Sequence, residues 1–305
     1  MSKVLTASQI EQFMELGWVK VEEAFPKQLA LACQDYLWEQ LKRYDINRED
    51  KSTWSKPIIY MQEAFRSEEF DKCNTQRLGD AIEDLIGAGR WTERVLWDGN
   101  PDRNYPTWGW WPVNFHLGGD KEWTVPTEGW HWDGSHFRHY VDAPEQGLLC
   151  LCIFSEIGEH GGGTLVAEGS HQVVARYLAS KKDGVEPQAG IDECNLQHPW
   201  LAALTGQADD SFLPGENRLE KFMNRKHVDS HGTELRVIET TSAPGDVILC
   251  HPFLYHTASQ NHSGVTRFMC NRTTPLKERM NLNGNGNTEF SPLEISIRRA
   301  LRDTK

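Results

Sequence analysis

Residues 129–135 read Gly129-Trp130-His131-Trp132-Asp133-Gly134-Ser135, which sets an imidazole and a carboxylate two positions apart. Side chains of an extended chain alternate between faces, so His131 and Asp133 share a face and Trp132 takes the other. Gly134 lets the backbone turn away directly afterwards. One face then offers a neutral nitrogen and a hard anionic oxygen. These are two of the three donors of the two-His-one-carboxylate arrangement that holds a redox-active iron and leaves other positions open. The third donor must come from elsewhere among 12 histidines. His227-Val228-Asp229 repeats the pattern, but within a charged stretch that lacks apolar alternation, and it reads as surface. His136 and His139 fit a pocket wall or a structural role equally well. His171, at a helix cap, fits packing. His251 and His256 are the serious choices, each at or beyond the end of the apolar strand Val247–Cys250. Eleven residues after His256 stands Arg267, in the largely apolar run Val265-Thr266-Arg267-Phe268-Met269-Cys270. A guanidinium there needs a buried anionic partner. That partner is an internal Asp or Glu, or the carboxylate of a small diacid gripped by paired hydrogen bonds.

The elements that must position these groups follow from periodicity and breakers. Ser8–Leu16 reads as a helix capped by Ser8 and stopped by Gly17, and Trp18–Val21 as a short strand. Pro26 opens a second helix with Leu29, Cys33, Tyr36, Leu37 and Leu41 at helical spacing. Residues 47–75 carry no clear period. Gln76–Ile86 is a helix closed by Gly87 and Gly89. Beyond Trp91 the pattern becomes short strands: Trp110–Leu117, the nearly continuous apolar run Gly147–Phe154, Thr164–Ala167, Leu235–Thr241, Val247–Cys250 and Val265–Arg272. Gly-rich turns separate them. A helix Gln172–Ala179 is expected with Ser170 as its cap, and a terminal helix over Pro292–Leu301. Residues 180–233 are charged and weakly periodic. They read as an insertion with one or two short helices, and long insertions are often lids. Crossover helices between successive strands are missing. The expected fold is therefore mainly β with supporting α-helices, two sheets packed as a jelly roll. We expect one domain over 1–305: helical support 1–90, a jelly-roll core from about 105 to 275 interrupted by 180–233, and a C-terminal helix at 291–302.

Composition narrows the function classes. The 305-residue chain has 38% hydrophobic and 25% charged residues, as globular domains do. No apolar run approaches a bilayer span, and the first residues lack the apolar core of a secretory signal. Seven scattered cysteines without a C-x-x-C pair favour reduced thiols and a cytoplasmic location over a disulfide framework. A formal net charge of -12 repels phosphate backbones and anionic membranes, so neither nucleic acid nor membrane is an expected partner; a small molecule is. Eight of the 12 Trp fall between Trp91 and Trp132, leading straight into His131. Such a run suggests that some of them line a pocket.

Together these pieces resemble the phytanoyl-CoA dioxygenase family of iron(II)- and 2-oxoglutarate-dependent oxygenases. The residues concerned are His131-x-Asp133, Gly163-Thr164-Leu165-Val166 leading to Gly169-Ser170-His171, Gly245-Asp246, His256, Asn261 and Arg267. The opening helix, Gly-Trp-Val strand and Pro-led helix are also similar, and the likeness runs in order over roughly residues 6–275. The resemblance implies that His131, Asp133 and His256 ligate iron and that Arg267 clamps the distal carboxylate of 2-oxoglutarate. It implies dioxygen as oxidant, with succinate and CO2 released as a C–H bond is hydroxylated. The chain departs from the family at Glu168, where Pro is common, and at Ala258, where Ser often stands. Thr164 and Ser259 are then the candidates for a second bond to the distal carboxylate. Two other classes fit the same donors: a zinc-dependent hydrolase on a cupin-like fold, and a cupin-like binding protein without catalysis.

Overall fold

The computed structural model describes residues 2–92, 108–208, 216–284 and 289–302; the expected start of the β core near 105 and Trp97 lie outside them. The elements follow from local signals. Helix α1 (Ala7–Leu16) is capped by Thr6, not Ser8. The Thr6 side chain accepts from the Gln9 amide while the Gln9 side chain returns to the Thr6 amide, a reciprocal capping box that satisfies two otherwise orphaned donors. Strand β1 (Trp18–Val21), α2 (Lys27–Leu41) and α4 (Gln76–Ile86, capped by Thr75) match expectation. The unplaced stretch 47–75 contains β2 (Ile58–Met61) and a short α3 (Glu68–Lys72). Strands β3 (Trp111–Asn114), β4 (Leu149–Ile153) and β5 (Thr164–Glu168) come next. Helix α5 (Ser170–Ala179) begins two residues earlier than expected, with Gly169 in the left-handed region as its cap. The Ser170 hydroxyl instead accepts from the Tyr255 amide at 2.9 Å. The insertion carries α6 (Pro187–Gln197) and α7 (Pro199–Leu204), each opened by proline, then the two-residue β6 (His227–Val228). β7 (Glu234–Glu239), β8 (Val247–Cys250), β9 (His256–Ala258), β10 (Met269–Thr273) and α8 (Pro292–Arg302) complete the chain.

The strand order is that of a jelly roll. One sheet runs β1-β8-β4-β10, and the bridge Asn114↔Arg267 joins β3, with β2 beyond it, to β10. The other runs β6-β7-β5-β9, and the bridge His131↔His256 adds the His131 segment beside β9. All named pairings are antiparallel. From β3 onward, consecutive strands alternate between the two sheets except at β5, β6 and β7, which lie side by side in the second sheet.

Both faces of the larger sheet are buried, which explains the unbroken apolar run of β4. Leu149, Leu151 and Ile153 point between the sheets, where they meet Val166, Ile248 and Met269. Cys150, Cys152, Phe154, Val247 and Leu249 point outward and pack with α1, α2 and α4 through Phe13, Leu37 and Leu85. All seven cysteines are buried as free thiols. The C-terminal helix is tied to the end of α4 by a forked pair: Arg90 donates to both oxygens of Glu294 at 2.7 and 2.6 Å. No helix among the described residues is long and apolar enough to cross a membrane.

Candidate metal centre

His131 and His256 face each other across an antiparallel bridge. The His131 amide donates to the His256 carbonyl at 3.1 Å, the reverse bond is 2.9 Å, and the ring centroids are 4.4 Å apart. Asp133, two residues on, turns to the same side. Its Oδ1 lies 3.3 Å from His131 Nε2 and its Oδ2 lies 3.8 Å from His256 Nε2. One donor atom from each of the three residues lies within 4.8 Å of the others. Gly129 and Gly134, at φ 79° and 119°, bracket the motif in backbone conformations that a Cβ would strain. A Cβ on Gly129 would also stand 2.7 Å from the Thr257 hydroxyl.

Each imidazole is oriented by its own chain. His131 Nδ1 donates to the Gly129 carbonyl at 2.7 Å, and His256 Nδ1 to the Leu254 carbonyl at 3.0 Å. A proton on each Nδ1 leaves both Nε2 atoms as lone pairs aimed at a carboxylate, the tautomer required of a metal ligand. Without a metal ion a proton can take that place: against the cost of burial, the Asp133 carboxylate raises the His131 imidazole above its ordinary value. His256 Nε2 is buried with no hydrogen-bond partner, an acceptor that a metal ion would satisfy. Burial, with the neighbouring His131, pushes the His256 imidazole down to about 4. For Asp133, burial works to raise the carboxyl, but positive charge on His256 and a hydrogen bond from His131, when those rings are protonated, outweigh it and hold it at about 2. A half-buried carboxylate between two imidazole Nε2 atoms fits a divalent ion and the donor chemistry of iron or zinc.

Packing behind the motif fixes its orientation. Trp132, on the opposite face and fully buried, donates its indole N–H to His139 Nδ1 at 3.2 Å, and His139 Nε2 donates to the Gly134 carbonyl at 2.9 Å. His139 thus has a structural role, whereas His136 lines the cavity in front of the triad. The other sequence candidates separate by position. His251 is buried against His171 and Phe13, away from the triad's cavity. His227 is exposed. Asp229 is not the surface residue expected: its side chain is 3% exposed, paired with Arg176 at 2.8 Å and bonded to the amides of His231 and Thr233.

Arg267 is buried and opens onto the same cavity as the triad. Its Nη1 donates to the Gly162 carbonyl and its Nη2 to the Pro112 carbonyl, both at 2.7 Å, while Nε has no partner. Among the described residues no Asp or Glu pairs with it, so the internal ion pair weighed from the sequence is not formed. Burial lowers its pKa to about 10, still charged at neutral pH. Thr164 also lines the cavity, its hydroxyl 3.6 Å from Met269 Sδ. Ser259 does not. Its hydroxyl is held by Glu239 Oε1 and the Gln260 carbonyl at 3.4 and 3.3 Å.

The cavity has a volume of about 1310 Å³, more than one small molecule requires. Two of its walls were not legible in the sequence. One is the loop 116–129, which lacks any period. Gln260 pins it, accepting from the Thr124 amide at 2.7 Å and donating to the carbonyls of Gly118 and Glu122 at 3.2 and 3.0 Å. The other is β2, where Tyr60 stacks on Trp110. Of the Trp cluster, Trp110 is on the wall, while Trp108, Trp111, Trp123, Trp130 and Trp132 are buried packing residues. The described part of the expected lid lies elsewhere. None of the described residues of 180–233 lines the cavity. The insertion packs behind the motif, where Tyr255 bonds Asn195 and Arg218 donates to the carbonyls of Val125, Pro126 and Leu204.

Comparison of the sequence with family models and with curated proteins finds no match. Among solved structures the chain is similar to EvdMO1, with 14% identity and a TM-score of 0.49 over 89% of this chain, spanning half (50%) of that one. It is similar to HygX from Streptomyces hygroscopicus, a structure with nickel and 2-oxoglutarate bound, at 12% identity and a TM-score of 0.47, covering 94% of this chain and 96% of that one. For EctD from S. alaskensis, with 2-oxoglutarate and 5-hydroxyectoine, the identity is 15% and the TM-score 0.48, covering 90% and 78%.

Proposed function

We propose that this protein is a non-haem iron(II)- and 2-oxoglutarate-dependent dioxygenase that hydroxylates a C–H bond of a small molecule. The observation that carries the reading is the pairing of two features in one cavity: the His131–Asp133–His256 triad, with both Nε2 atoms presented, and a buried Arg267 without an acidic partner among the described residues. His131, Asp133 and His256 would hold ferrous iron. When bound there, iron supplies adjacent open positions for a 2-oxo acid and dioxygen, coupling oxidative decarboxylation of 2-oxoglutarate to C–H oxidation. The protein's own contributions are positional and electrostatic. The carbonyls of Gly129 and Leu254 fix a proton on each Nδ1, so that Nε2 is the atom each imidazole offers to a metal. Arg267, its Nη atoms steadied by backbone carbonyls, offsets the distal carboxylate of the diacid. The roll's buried apolar walls, Leu149, Leu151 and Met269, limit water around the reacting groups. Three ligands on one side leave the loop 116–129 to receive the substrate.

The test begins without oxygen. Iron(II) and 2-oxoglutarate together should give a visible charge-transfer band that neither gives alone. Admitting air should then release succinate. A zinc hydrolase or a binding protein on this fold would show neither signal.

A further inference from the structure

If the co-substrate is a five-carbon diacid held by Arg267, one guanidinium does not saturate its distal carboxylate. A carboxylate offers about four lone-pair sites, and Arg267 already spends N–H groups on the carbonyls of Gly162 and Pro112. A second donor is needed, and the two hydroxyls nearest to the expected pattern are engaged elsewhere. Ser259 is turned to Glu239 and lies outside the cavity lining, and the Thr164 hydroxyl is directed at the Met269 thioether.

We propose that the Tyr60 hydroxyl supplies the second hydrogen bond to the distal carboxylate of 2-oxoglutarate, beside Arg267. This assignment rests on the function proposed above. The register of β2 on β3 sets Tyr60 directly opposite Pro112, the residue whose carbonyl holds Arg267 Nη2. Directly opposed residues have Cβ atoms only about 5 Å apart. Strand alternation buries Ile59 and Met61 in the core and turns Tyr60 into the cavity, where it stays 49% exposed. Its ring rests on Trp110, centroids 5.7 Å apart and planes at 33°, so the phenol is aimed rather than free to swing. Its hydroxyl has no hydrogen-bond partner among the described residues.

The probes are 2-oxoglutarate and 2-oxopentanoate, which has the same chain and keto acid but no distal carboxylate. Calorimetric titrations with manganese(II)-loaded protein, without oxygen, read binding apart from turnover. Tyr60→Phe should weaken 2-oxoglutarate binding about tenfold or more and leave 2-oxopentanoate and manganese affinities unchanged. Thr164→Val should leave 2-oxoglutarate affinity near that of the wild type. If Tyr60→Phe binds 2-oxoglutarate as tightly as the wild type, or loses both acids equally, the Tyr60 assignment falls while the dioxygenase reading stands. If the metal-loaded wild type does not bind 2-oxoglutarate at all, the function itself is wrong and the assignment goes with it. Tyr60 is half-exposed, so the variant should fold; an unchanged melting temperature checks this.

Discussion

At the scale of single residues, three side chains are held in one orientation, each imidazole fixed through its Nδ1 by a backbone carbonyl. His256 Nε2, buried and unpartnered, is the atom most dependent on a cation. Replacing Asp133 with Ala should abolish iron(II)-dependent succinate formation, and succinate release at the wild-type rate would contradict the ligand assignment. On the function proposed, Arg267 would carry two burdens, one for ligand and one for fold. Arg267→Met should weaken 2-oxoglutarate binding and, by leaving the Gly162 and Pro112 carbonyls without their donors, cost about 2–4 kcal/mol of stability. A urea titration beside the binding assay separates the two effects. If stability is unaffected, the carbonyl bonds are not what seats the guanidinium.

Elements bring two further consequences. Helices α1 and α5 and strand β8 meet at a pair of buried imidazoles, His171 and His251, with ring centroids 4.8 Å apart. Burial pushes His171 down to about 4 and His251 well below its ordinary value. The unfolded chain therefore takes up protons more readily than the native one between pH 6.5 and 4. Their contribution is intact above pH 6.5 and is lost as pH falls through that window, by about 3 kcal/mol for His171. His171→Gln should flatten the dependence of the urea midpoint on pH between 6.5 and 4; an unaltered slope would rule this pair out as a source of acid sensitivity. The loop 116–129 depends on one side chain. Gln260→Ala removes the bonds to Gly118, Glu122 and Thr124. We expect faster hydrogen exchange at the Thr124 amide by at least tenfold, with a global stability loss of only about 1–2 kcal/mol.

For the whole molecule, the ends of the chain are joined around the roll. Glu294, almost fully buried, accepts from Arg90 and from the amides of Asn281 and Ser291. These bonds outweigh the cost of burial and keep its carboxyl below the usual range. Glu294→Ala leaves the Arg90 guanidinium without its partner and should cost about 3–5 kcal/mol, seen as a lower unfolding temperature without a change in metal affinity. A coupled loss of metal affinity would mean that the helical layer, not only the roll, sets the triad's geometry. The insertion acts at this scale too: through Arg218 and Asn195 it braces the backbone that leads into His131 and the strand bearing His256.

Periodicity and breakers alone were enough to mark α1, α2, α4, β1, β4, β8 and α8, because each is delimited by Gly, Pro or a cap and exposes one face or none. The share of His131 and Asp133 in one face was likewise local, since alternation in extended chain needs no tertiary contact. Long-range pairing decided the rest. Local pattern does not distinguish His256 from His251; only the resemblance of the ordered residues favoured the former. Registry separates them, because bridging to His131 turns one imidazole into the cavity while the other packs against His171. The same holds for Tyr60, Gln260 and Ser259, whose roles depend on which wall the neighbouring strand supplies, and for residues 180–233, where a charged sequence suited a lid as well as a buttress. Side-chain type and spacing fix what chemistry is available. Only the closing of two sheets, through contacts more than 100 residues apart in the chain, selects which of those groups face one another.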